Sequence, residues 1–186
     1  MQDLEENYGR DHIKENLVLY KAALKGDWRK ARVFLNDHPE AVTARITNKQ
    51  ETALHVAARS GHSMFVEKLV RLMPPEALEY KDSSEDGYTA LHLAAIAGIT
   101  RAAKALVKAN SDLTQIRDQK GWVPLSIAAY HASSDEHKEM VKYLLTVTRD
   151  ESQDSWESPF RGTTGGNLIL IITASSSYGK HSIDPI

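Results

Sequence analysis

Ten residues recur almost unchanged at a fixed distance, and a period of this length settles a fold before any single element is assigned. Thr52–Gly61 reads TALHVAARSG and Thr89–Gly98 reads TALHLAAIAG. A worn copy, VPLSIAAYHA, spans Val123–Ala132, and Val18–Gly26 (VLYKAALKG) keeps the leucine, the alanine pair and the glycine. The equivalent leucines Leu19, Leu54, Leu91 and Leu125 are 35, 37 and 34 residues apart.

Each copy carries helix start and stop signals. Thr52 and Thr89 can accept a hydrogen bond from a free amide in the first turn, and Pro124 suits the first helical position, where its missing N–H costs nothing. The leucines then face inward and the alanine pairs let neighbouring helices approach closely. Gly26, Gly61 and Gly98 stand where the helix ends and a positive φ is needed. A second apolar stripe follows at helical spacing: Val33 with Phe34, Val66 with Leu69 and Val70, Ala103 with Leu106 and Val107, Val141 with Leu144 and Leu145. One helix pair cannot bury both of its faces, so stability has to come from stacking the pairs.

This pattern resembles the ankyrin repeat, whose period is about 33 residues and whose signature is Thr-Pro-Leu-His-x-Ala. The resemblance implies an all-α chain: an ankyrin-repeat α-solenoid of paired antiparallel helices with extended turns between repeats. Four repeats cover residues 17–148. A polar tail (1–16) precedes them, and a linker (149–167) and a truncated fifth-repeat helix with its tail (168–186) follow. Three departures stand out. About four residues around Ser133 to Glu136 are inserted in repeat four and are expected to bulge between its helices. Leu17 occupies the threonine position of repeat one, and Gln50 occupies the position of the turn glycines Gly87 and Gly121.

Within the family, Tyr130-His131, the run His137 to Leu144 and Ser158-Pro159-Phe160 look like the plant ankyrin proteins that end in a membrane-spanning PGG domain and act in defence and stress signalling. Leu168 to Ala174 would then begin a fifth repeat whose second helix is missing. On that resemblance the chain is a truncated or alternatively spliced member, membrane-associated only in a longer form.

Chemistry-bearing motifs are scarce. His55 and His92 on successive repeats could ligate zinc, but no third ligand accompanies them at suitable spacing, and their place in the ankyrin motif implies hydrogen bonds to backbone in the adjoining turn. Gly162–Gly166 and Gly179–Ser182 lack the Gly-Lys-Ser/Thr ending of a phosphate-cradling loop. No arrangement of nucleophile, base and orienting acid emerges. The expectation is therefore no enzyme, no catalytic residue, no metal and no cofactor. With 23 Lys plus Arg against 25 Asp plus Glu, the net charge of −2 argues against nucleic acid as a general partner. The absence of cysteine fits a reducing, cytoplasmic setting. Met1 to Asn16 does not read as a signal peptide, and the longest aliphatic run, Leu168 to Ile172, is far too short to cross a bilayer.

What remains is a binding module, expected to be a monomer that recognises a partner protein on its concave, turn-rich surface. Positions outside the apolar stripes mark that surface: Asn48, Lys49, Glu51, Arg59 and Ser60; Glu85, Asp86, Tyr88, Ile96 and Ala97; Gln119, Lys120, Trp122, Tyr130 and His131. Ankyrin proteins commonly bind through such positions. Tyr88, Trp122 and Tyr130 are either aromatic anchors for a partner or partly buried rings packed against the neighbouring turn.

Overall fold

The computed structural model describes residues 15–132, 134–150, 158, 160 and 169. Within them lie eight α-helices and no β-strand: α1 Leu17–Lys25, α2 Trp28–Asp37, α3 Ala53–Arg59, α4 Ser63–Leu69, α5 Ala90–Ile96, α6 Thr100–Ala109, α7 Pro124–Tyr130 and α8 Asp135–Val147. Short 3-10 turns at Pro39–Val42, Pro75–Glu79 and Ser111–Thr114 follow α2, α4 and α6. The helices pair as hairpins, and the pairs stack. The first helices α1, α3, α5 and α7 form one row; the second helices α4, α6 and α8 form another.

The repeat residues produce these elements locally. Thr52 and Thr89 are extended residues that immediately precede α3 and α5, and Pro124 is the first residue of α7. Where each first helix turns into the second, Gly26 and Gly98 both have φ of 69°, and each lies under an imidazole of the next packed repeat. A Cβ at Gly26 would lie 2.6 Å from His62 Nδ1, and one at Gly98 would lie 3.2 Å from His137 Cε1. Those two rings donate Nε2–H to Leu24 O and Ile96 O, 2.9 Å in each case, satisfying a carbonyl at the end of α1 and of α5 respectively.

The core runs as one apolar seam. All four repeat leucines and all four alanine pairs are buried along the row of first helices. The second helices add Ala31 and Leu35, Phe65, Val66 and Leu69, Ala103 and Leu106, and Met140, Val141 and Leu144. Burying each large side chain contributes about 1.5–3 kcal/mol, and interior repeats gain it on both sides. Three assignments to the second stripe need correction. Val33 is 59% exposed, because the buried stripe of α2 runs through Ala31 and Leu35 and Val33 points away from it. Val70 and Leu145 are half-buried at the margin of the seam.

Of the residues expected to bulge in repeat four, Ser134 to Glu136 instead form the start of the second helix, and Ser133 lies outside the described residues. The connector between α7 and α8 has four residues, one more than the Ala97–Ile99 link between α5 and α6, and α8 is 13 residues long against 10 for α6. The extra residues therefore extend the second helix at its start. Ser134 caps it by accepting from His137 N–H at 3.4 Å, and Asp135 and Glu136 place negative charge in the first turn, where the helix dipole favours it.

At the edges, Asn16 belongs to the fold: it is buried, and its carbonyl accepts from Tyr20 N–H at 2.9 Å. In the stretch expected to be a linker, Ser158 is buried and Phe160 packs against the core. The expected half-repeat at Leu168–Ala174 lies outside the described residues except for Ile169, which is helical and 62% exposed.

Candidate functional site

Between repeats the chain folds into narrow turns whose two arms are joined by backbone: Ile46 N–H to Glu51 O at 2.7 Å, Asp82 N–H to Tyr88 O at 2.9 Å, and Asp118 N–H to Trp122 O at 2.8 Å. Two buried aspartates organise them. Asp82 Oδ1 accepts from the amides of Ser84 (3.2 Å) and Tyr88 (2.9 Å), and Asp118 Oδ1 accepts from those of Lys120 and Trp122, both at 2.8 Å. The turns are also tied to one another, Ser83 N–H to Lys49 O at 2.8 Å and Gln119 N–H to Asp86 O at 2.7 Å. Successive turns thus stand in a fixed row beside the first helices. Sequence reading passed over both aspartates, although each precedes a turn glycine, Gly87 or Gly121.

His55 and His92 fasten this row to the helices. Nδ1 of each ring accepts from the N–H (3.3 Å) and hydroxyl (2.8 Å) of Thr52 or Thr89. Nε2–H donates into the next turn, to Tyr80 O at 2.8 Å from His55 and to Trp122 O at 3.1 Å from His92. Burial drives both imidazoles down to a pKa of about 4, against the opposing effect of those carbonyl acceptors, so both are neutral at physiological pH. With both nitrogens engaged, neither ring has a lone pair to offer a metal. No group of three or more metal-ligating side chains occurs among the described residues.

The expected surface residues separate into three kinds. Asn48, Lys49, Arg59, Glu85, Gln119, Lys120 and Tyr130 are exposed; Ser60, Asp86, Tyr88, Ile96, Ala97, Trp122 and His131 are half-buried. Glu51 is a correction. It is only 2% exposed, because Arg59 forms an ion pair with Oε1 while Thr47 Oγ1 donates to Oε2 at 3.0 Å. Its carboxylate holds the first turn onto α3 and is not offered to a partner.

Among the aromatics, Tyr88 and Trp122 pack against the core, as does Ile96, whereas Tyr130 is 68% exposed. The Tyr130 ring stands edge-on to Trp122 with centroids 5.5 Å apart, and His131 lies 5.3 Å from Tyr130 and 6.4 Å from His137. Burial and a hydrogen bond donated to Asp86 push the Tyr88 hydroxyl up to about 12, and Asp86 is also paired with Lys120 Nζ at 2.6 Å.

A family model described as ankyrin repeats (3 copies) matches residues 65–155. The Notch-regulated ankyrin repeat-containing protein of Xenopus tropicalis is 31% identical over 96 residues, which cover 52% of this chain and 80% of that protein. This chain belongs to the ankyrin-repeat family. Upstream of the matched segment, α1 and α2 form a further helix hairpin, and α1 packs against α3. A transient receptor potential cation channel subfamily A member 1 homolog of Caenorhabditis elegans is 28% identical over 150 residues, 79% of this chain but 12% of the channel. Human protein phosphatase 1 regulatory subunit 27 is 37% identical over 75 residues, 39% of this chain and 46% of the subunit. The ankyrin chain thus spans a small part of the channel homolog and under half of the phosphatase subunit. Ankyrin repeats imply a protein–protein interaction module, and no helix among the described residues is long and apolar enough to cross a membrane.

Proposed function

We propose that this ankyrin-repeat chain binds a partner protein through its row of turns and the exposed ends of its first helices, with Tyr130 as the anchor. The observation that carries this reading is a large aromatic ring held in solvent against Trp122 while every repeat leucine is buried. An exposed, positioned tyrosine offers contact area at small entropic cost, and such residues dominate interface energetics. Around it Glu85, Gln119, Lys120 and His131 supply a polar rim, and Asn48, Lys49, Arg59 and Ser60 continue that edge toward the first repeats. Trp122, Tyr88, Ile96 and Asp86 form its supporting floor.

On this reading the chain acts by binding, not catalysis, as a cytoplasmic monomer without metal or cofactor. A setting in plant stress or defence signalling rests on the sequence resemblance at Tyr130-His131, His137 to Leu144 and Ser158 to Phe160.

The test is capture of partners by the wild-type chain and by a Tyr130→Ala, Lys120→Glu variant, followed by affinity measurement with the purified partner. Tyr130→Ala should weaken binding by about 2 kcal/mol, roughly thirtyfold, at unchanged melting temperature. Unaltered affinity in the stably folded double variant would remove this face from consideration.

A further inference from the structure

Independently of the turn face, we infer that the groove between α4 and α6, on the opposite side of the helix pairs, is a docking site for an acidic peptide segment of a protein partner. The groove has a volume of about 500 Å³ and an apolar lining from Val70, Ala105 and Ala109. Its charged lining is one-sided: four cations, Arg71, Arg101, Lys104 and Lys108, against the single carboxylate of Glu67. The whole chain carries a net charge of −2, so this concentration of positive charge is local.

The helix period produces it. Arg101, Lys104 and Lys108 fall on one face of α6, while Ala102, Ala103, Leu106 and Val107 bury the other. Glu67 is consumed by Arg101, which donates to both of its oxygens at 2.6 and 3.2 Å. Lys104 lies 3.9 Å from Glu139 of α8 and 5.6 Å from the Tyr143 ring centroid. Arg71 and Lys108 are exposed and form no ion pair among the described residues.

Charge complementarity selects the occupant. Carboxylates of an acidic segment would meet Lys108 and Arg71, the latter already sharing the field of Glu67 with Arg101, and an interspersed aliphatic side chain would fill the alanine-lined floor. A nucleic acid needs a longer basic track than this one groove, and a concave floor between two helices does not fit a flat lipid surface.

The test is fluorescence polarisation of a fluorescein-labelled Glu-Leu-Glu-Glu repeat peptide titrated with the full chain. Its controls are the same peptide with glutamine for glutamate, a DNA duplex and phosphatidylserine vesicles. Arg71→Glu, Lys108→Glu should weaken the glutamate peptide about tenfold or more, whereas Lys21→Glu, Lys25→Glu on α1 should change it less than about twofold. Arg71→Gln, Lys108→Gln serves in the same comparison if the charge reversal lowers the melting temperature. Equal losses in both double variants, equal binding of the two peptides, or tighter binding of DNA or vesicles than of the peptide would overturn the inference.

Discussion

His55 and His92 show how much a single side chain does in this fold: each closes its own helix start and holds the carbonyl of the following turn. Their pH dependence follows. Each folded-state pKa is lowered from 6.5 to about 4, so below 6.5 the unfolded chain takes up the proton first. The stabilisation is complete above pH 6.5, is lost as pH falls toward 4, and by pH 5 should have dropped by about 2 kcal/mol per histidine. Urea unfolding at pH 7.5 and 5 measures this, and a His55→Gln, His92→Gln variant that still folds should show a flatter profile. Gln50 offers a second residue-scale prediction. It has φ of 55° where the equivalent Gly87 and Gly121 have 61° and 81°, so a side chain occupies the left-handed region there. Gln50→Gly should stabilise by about 0.5–1 kcal/mol, the relief of strain exceeding the extra freedom of the unfolded glycine. A lowered urea midpoint would contradict that reading of the turn.

At the scale of elements, the helices were legible in the sequence because their capping residues, alanine pairs and glycines coincide in register, so that local and stacking preferences agree. The inserted residues of repeat four were misread because a count of spacing does not say which element absorbs an insertion. Ser134, Asp135 and Glu136 are helix-starting residues, and they lengthened α8 until His137 reached the carbonyl of Ile96, the same place over a glycine that His62 occupies two repeats earlier. Ser134→Ala should therefore cost about 1 kcal/mol through loss of the cap, checked by chemical denaturation. Stability unchanged within error would show that α8 starts without it. Glu51 was misplaced for a related reason: a polar residue just before a helix reads as surface until a partner such as Arg59 is seen to fold over it.

For the whole molecule, stacking makes stability a sum over neighbours, so an interior position should be the costliest to empty. Leu91 is fully buried on α5, which packs against both α3 and α7, and Leu91→Ala should destabilise by about 2–5 kcal/mol in thermal or urea unfolding. A loss below about 1 kcal/mol would contradict the stacked core. The location of the turn face was legible from residues left outside the apolar stripes, but the division of labour within it was not. Packing, which periodicity does not report, sets Trp122 and Tyr88 into the wall and leaves Tyr130 in solvent. The claim that this face meets a protein partner is tested most directly by hydroxyl-radical footprinting of the chain alone and in complex with its captured partner. Reactivity should fall at Tyr130 and Trp122 and remain unchanged at the exposed Met64 on α4; unchanged Tyr130 with a protected Met64 would contradict it.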